Sequence, residues 1–256
     1  MPSTNTYDQI VTLGRRVMLS KATLKDFAGK VTPKQAELLI AFFEAELELR
    51  AETKRKRLVR RAAFPTFKSF ADYDWSPLAL PKTLTREELI TCSFIPRKEN
   101  VICFGPVGTG KTHLSIAVGH AACQAGLRVK FVTTAELVLR LIEAKETGRL
   151  DKMLRDYAAN DLTILDEFGY VPIDREGSRL LFQVISRCYE SKSLMLTTNL
   201  EFSRWATVLT EEQMAAAMAD RLLHHGHVIT FKGESYRIRH ALMNTRKDHT
   251  DGIHLA

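Results

Sequence analysis

The chain has 256 residues, of which 45% are apolar and 26% charged, with a net charge of +7. That length suits one sizeable core with room for a small second domain. No uninterrupted apolar run nears the roughly 18 residues that span a bilayer, so a transmembrane helix is excluded and no membrane partner is expected. The excess of positive charge favours an anionic partner, nucleic acid first among them.

The amino terminus, MPSTNTYDQI, lacks a basic start and an apolar centre, so no secretory signal is read and the expected location is cytoplasmic. Helical spacing follows. YDQIVTLGRRVMLSK places Ile10, Leu13, Val17 and Met18 on one face, and TPKQAELLIAFFEAELELRAETKRKRLVRRA clusters Leu38, Leu39, Phe42 and Phe43. Thr32 and Pro33 make a good start for the second helix, because a proline in the first helical position after a threonine cap costs no backbone hydrogen bond. Phe64-Pro65 predicts its end, and the aromatic, proline-broken FKSFADYDWSPLALPK reads as a connector. This divides the chain into a basic helical domain over 1–66 and a larger domain over 67–256. Residues 1–66 hold 13 Lys and Arg against 7 Asp and Glu, densest at Lys54, Arg55, Lys56, Arg57, Arg60 and Arg61. A solvated helix face is the plain alternative to an anion-binding one.

Beyond the connector, five apolar runs alternate with helical segments: VICFG (101–105), RVKFVTT (128–134), DLTILDE (161–167), SLMLTTN (193–199) and HVITFKG (227–233). Such alternation predicts an α/β fold with a mostly parallel five-stranded sheet flanked by helices. The first run enters FGPVGTGKTHL, which fits G-x-x-x-x-G-K-[ST]. Gly105, Gly108 and Gly110 let successive N–H groups turn inward, and Pro106, Val107, Thr109 and His113 complete the loop and the entry to its helix. Lys111 is then expected to reach β- and γ-phosphates, and Thr112 to offer its hydroxyl to Mg²⁺, at a helix start that favours negative charge.

LTILDE ends a buried strand in two acids some fifty residues later. Asp166 suits support of Mg²⁺, and Glu167 suits polarisation of an attacking water. Asn199, at the end of SLMLTTN, suits hydrogen bonds to both that water and a γ-phosphate oxygen, although asparagine is also a common turn former. Arg221, in MAAAMADRLLHHGHVITF, is read either as a partner of Asp220 or as a finger for a neighbouring subunit's γ-phosphate. The four cysteines, Cys92, Cys103, Cys123 and Cys188, are scattered without C-x-x-C spacing. His224, His225 and His227 have no carboxylate or cysteine close by in sequence to complete a metal set and are read as surface histidines.

GPVGTGKTHL, LTILDEFG, LTTNL and ADRLLHHGHVI, in this order, resemble the IstB-like family of ATP-binding helpers of bacterial insertion sequences. That family is related to the DnaC-like helicase loaders among the AAA+ ATPases. The basic helices with RRAAFPTFKSFADYDW extend the resemblance over almost the whole chain. It implies an ATPase that assembles as a ring or spiral of identical subunits on double-stranded DNA and regulates a transposase. It further implies Asn199 as sensor, Arg221 acting in trans, and a DNA-facing helical stretch over 135–158 carrying Arg140, Lys145, Arg149, Lys152 and Arg155, for which a charged outer face is the alternative.

After Gly233 the sequence departs from the AAA+ pattern: with 23 residues following, a minimal or absent lid is expected. Arg237 and Arg239 are the candidates for a second sensor. A helicase loader would share every ATPase motif; the amino-terminal segment favours the transposition helper, and the partner is what would separate the two. A small-molecule kinase, the third class with such a loop, is disfavoured by Glu167, Asn199 and Arg221, which suit hydrolysis coupled to assembly.

Overall fold

A computed structural model describes residues 4–71, 73–233, 235 and 236. The chain separates into two compact units, residues 1–57 and 58–256.

The first unit holds helix α1 (Thr4–Arg16), helix α2 (Lys21–Ala28) and the long α3 (Pro33–Ala62) as far as residue 57. Ile10, Leu13, Val17, Leu24, Ala28, Ala36 and Phe43 form its core. Three residues depart from the expected apolar faces. Met18 adopts φ 75 just past the end of α1 and is 83% exposed, because the chain has already left the helix. Leu38 and Phe42 also face solvent, while Phe43 is buried. The α3 start is capped as anticipated: Gln35 N–H donates to Thr32 Oγ1, and Thr32 N–H donates to Gln35 Oε1 at 2.9 Å. A helix read as running on to Lys21 is instead broken at residues 17–20, where Ser20 caps α2 through Thr23 N–H.

The second unit is an α/β layer structure. Its elements are β1 (Leu78–Ala79), α4 (Arg86–Thr91), β2 (Asn100–Phe104), α5 (Lys111–Gln124), β3 (Val129–Thr133), α6 (Thr134–Glu146), α7 (Leu150–Ala158), β4 (Leu162–Phe168), α8 (Arg175–Cys188), β5 (Ser193–Thr198), a short 3₁₀ turn (Phe202–Arg204), α9 (Ala206–Leu209), α10 (Glu212–His224) and β6 (Gly226–Phe231). The sheet order is β1-β6-β2-β5-β4-β3. The five anticipated strands are parallel, and the two-residue β1 adds an antiparallel edge on β6.

Alternating side chains feed two cores, as the period of a strand requires. Ile102, Leu165, Leu194 and Leu196 face α6, α7, α8 and α10. Val101, Cys103, Ile164 and Met195 face α4 and α5. A sheet covered on both faces explains why these strands read as continuous apolar runs. All phosphate-loop chemistry therefore collects at the carboxyl edge, the one open end of the central strands.

Candidate nucleotide-binding site

Strand β2 leads into Gly105, whose φ of 152 and close approach to β6 exclude a side chain: a Cβ there would lie 2.4 Å from the Phe231 carbonyl oxygen. The loop closes at Gly110, with φ 98, which starts α5 without any side-chain cap. The first N–H groups of α5 are thus left to an anion. Lys111 is buried, and its ammonium donates to the Gly105 and Pro106 carbonyls at 2.8 and 2.7 Å. Thr109 Oγ1 donates to the same Pro106 oxygen at 2.8 Å. Val107 is exposed at the tip of the loop.

The acids come from an irregularity in the sheet. Leu165 pairs with Leu196 but Phe168 pairs with Thr198, so β4 carries one extra residue there, a β-bulge. Glu167 takes φ 58 at this point and turns its side chain out to solvent, while Asp166 stays 3% exposed. The Thr112 hydroxyl donates to both Asp166 carboxylate oxygens at 3.0 and 3.1 Å. A hydroxyl and a carboxylate held together in this way are the hard oxygen donors that suit Mg²⁺.

Two partners of this pair were not singled out from the sequence. Thr197 Oγ1 donates to Asp166 Oδ1 at 2.5 Å and accepts the Glu167 N–H at 2.9 Å, so one hydroxyl on the neighbouring strand orients both acids. Thr134 Oγ1 donates to the Asp166 backbone oxygen at 3.0 Å. The run LTTN contains Thr197, but only the register of β4 against β5 shows which threonine meets the acids.

Asn199 is exposed at the end of β5 and lines a cleft of about 400 Å³ with Gly105, Pro106, Glu201 and Arg204. Its side of the loop therefore carries an arginine that sequence reading passed over. On the other side, the connector packs its aromatic residues on the loop helix. The Tyr73 ring meets His113 edge-on at 4.9 Å, and its hydroxyl donates to Gly110 O at 3.5 Å. Burial holds that phenol far above its usual range. His113 Nε2 lies 3.1 Å from Ser69 O. Tyr236 N–H donates to Gly108 O at 3.0 Å, so the chain beyond β6 also touches the loop. Arg237 and Arg239 lie outside the described residues.

Arg221 is not brought to this site. It sits near the end of α10, five residues before β6, whose first residue pairs with Asn100 at the start of β2. A five-residue strand, roughly 16 Å of chain, separates that edge from the phosphate loop. The half-buried guanidinium lies 4.4 Å from the Phe182 ring centre and 6.0 Å from that of Tyr189. Of the basic residues over 135–158, Arg140, Lys145, Arg149 and Arg155 are exposed and paired with Glu136, Glu176, Glu143 and Asp151.

The family described as IstB-like ATP binding protein matches residues 22–244, which includes the loop, both acids, Asn199 and Arg221. The chain belongs to the IstB-like family. An ATP-binding protein of insertion sequence IS5376 from Geobacillus stearothermophilus is 35% identical to it over 226 residues, covering 88% of this chain and 90% of that protein. The corresponding protein of IS21 from Pseudomonas aeruginosa is 36% identical over 85% of this chain and 82% of its own. Among solved structures, that of DnaI is similar with a TM-score of 0.51 at 18% identity, covering 70% of this chain and 92% of the other. The fold of this IstB-like chain is that of AAA+ P-loop proteins. None of its described helices is long and apolar enough to cross a membrane.

Proposed function

We propose that this IstB-like chain hydrolyses ATP as an oligomer assembled on duplex DNA, and that the assembly regulates the transposase of its insertion sequence. The observation that carries the reading is the division of the candidate residues between the two edges of one sheet. Lys111, Thr112, Asp166, Glu167 and Asn199 gather at the carboxyl edge, while Arg221 rests on Phe182 near the opposite one.

On nucleotide binding, Lys111 exchanges the Gly105 and Pro106 carbonyls for phosphate oxygens, joined by the uncapped N–H groups of α5. Thr112 and Asp166 would hold Mg²⁺, which when bound neutralises charge on the phosphates. Glu167, turned outward by the bulge, polarises the attacking water, and Asn199 orients it. Arg221 cannot reach the phosphates of its own chain from its edge, which favours action on a neighbour's. The insertion-sequence relatives favour a transposase as partner; capture of a replicative helicase instead of transposase would move the reading to a loader.

The test is complementation between two crippled variants. Lys111→Ala has a broken pocket and an intact finger, and Arg221→Ala the reverse, so each alone is expected to lose most activity. Fingers acting in trans contribute about 10³–10⁵ in rate in related systems. Mixed on duplex DNA, the two variants are expected to exceed the sum of their separate rates. Near-normal turnover by Arg221→Ala, or co-assembled variants no better than their sum, would refute the proposal.

A further inference from the structure

The fold brings a carboxylate from a separate chain segment to His224 and His225. Glu190, in the turn between α8 and β5, brings Oε1 within 3.7 Å of His225 Nε2 and 4.0 Å of His224 Nδ1. The three ligand atoms all lie within 4.8 Å of one another. Neighbouring residues on a helix point apart, but α10 ends at His224, and His225 leaves it with φ −120 and ψ 43. The two imidazoles consequently stand 4.1 Å apart. His227 takes no part: it is buried, with Nδ1 2.9 Å from Thr83 Oγ1 and Nε2 3.2 Å from Glu99.

We propose that Glu190, His224 and His225 form a binding site for a transition-metal dication of the Zn²⁺ class. Two imidazole nitrogens and one carboxylate oxygen are a donor set for Zn²⁺ and not for Mg²⁺ or Ca²⁺, which separates this site from Thr112 and Asp166. Bonds of about 2.0–2.2 Å in a tetrahedral arrangement put ligand atoms roughly 3.4 Å apart. The present spacings close to that value by small rotations of side chains that are 47–56% exposed.

The backbone beneath is held. Asn100 N–H donates to His225 O at 2.7 Å, and Lys192 N–H to Cys188 O at 2.8 Å. His225 is thereby tied to the start of β2 and the turn that carries Glu190 to the end of α8, so the backbone of the site is organised before a metal arrives. The remaining coordination positions face solvent and take water.

Tyr189 Oη lies 2.9 Å from His224 Nδ1 and competes with the metal for that nitrogen. The Tyr189 ring also neighbours the Arg221 guanidinium. Metal capture of Nδ1 therefore releases the hydroxyl of a ring that neighbours the proposed finger. That consequence rests on the function proposed above; the binding itself does not.

Calorimetric titration of the full chain with ZnCl₂, in excess Mg²⁺, tests the site. One tight equivalent is expected, weakened at least tenfold in Glu190→Gln and in His225→Gln, since even outer partners of a metal site contribute about 10–100-fold. Tyr189→Phe, lacking the competitor, is expected to bind roughly threefold to tenfold more tightly. Unchanged ATP binding and circular dichroism establish that each variant folds. Unaltered Zn²⁺ affinity in both ligand variants would overturn the proposal. So would a Co²⁺ spectrum of the unmodified chain that shows thiolate charge transfer, because the proposed ligands contain no sulfur.

Discussion

At the residue scale, Thr197 is the pivot of the nucleotide site, because its hydroxyl is both donor to Asp166 and acceptor for the Glu167 N–H. Thr197→Val keeps the shape and removes both bonds in a buried setting. That should cost about 2 kcal/mol, or roughly 4–8 °C in Tm for a chain of this size. Thermal denaturation followed by circular dichroism checks it, and a Tm within a degree of the parent's would refute the role. The proposed function assigns Lys111 and Glu167 different roles. On that reading Lys111→Ala takes away a phosphate ligand and should abolish ATP binding, whereas Glu167→Gln should keep the binding and lose turnover. Fluorescent-nucleotide titration beside phosphate release distinguishes them; equal loss of affinity in both would contradict the assignment.

At the element scale, the amino edge of the sheet is clipped by Asp161. Its carboxylate accepts the Arg128 N–H at 2.9 Å and the Lys192 ammonium at 3.2 Å, joining the entrances of β3, β4 and β5. Burial pushes this carboxyl up, but the Arg128 N–H and the Lys192 ammonium outweigh it and hold it below its ordinary value. A depressed folded value means stabilisation that is complete above the unfolded pKa of about 3.9 and lost as pH falls through the folded one. The advantage of the parent over Asp161→Asn in urea midpoint should therefore be full near pH 6 and shrink towards about pH 2. An advantage independent of pH over that range would show that the charge of Asp161 contributes nothing.

At the scale of the whole molecule, the net charge of +7 is distributed unequally in effect as well as in sequence. In the α6–α7 region, four exposed bases already face acids. On α3, Arg55 and Lys56 pair with Glu48 and Glu52, while Lys54, Arg57 and Arg60 are exposed with no ion pair among the described residues. The α3 run is accordingly the stronger candidate for DNA phosphate. Replacing Lys54, Arg57 and Arg60 together by Gln should reduce the slope of log K against log salt by about 0.9 for each DNA phosphate that these side chains neutralise. Anisotropy of a labelled duplex across a salt series, with ATP present, measures it. An unchanged slope would return α3 to a solvated face.

Local chemistry determined much of this protein. Glycines at 105, 108 and 110 ahead of Lys111 and Thr112, buried apolar runs of strand length, and a Thr-Pro helix start act over a few residues, so the phosphate loop, five parallel strands and the start of α3 were legible from spacing alone. What depended on chain segments far apart was not. The β4 bulge and the choice of Thr197 follow from register between strands, which no single run encodes. Leu38 and Phe42 face water although their spacing matches that of the buried Phe43, because which flank of a helix is covered depends on its neighbours. His224 and His225 looked like isolated surface residues until the α8–β5 turn set Glu190 beside them. Pairings between residues far apart in sequence are made by the tertiary fold, and those are the ones that aim the acids and assemble the histidine cluster.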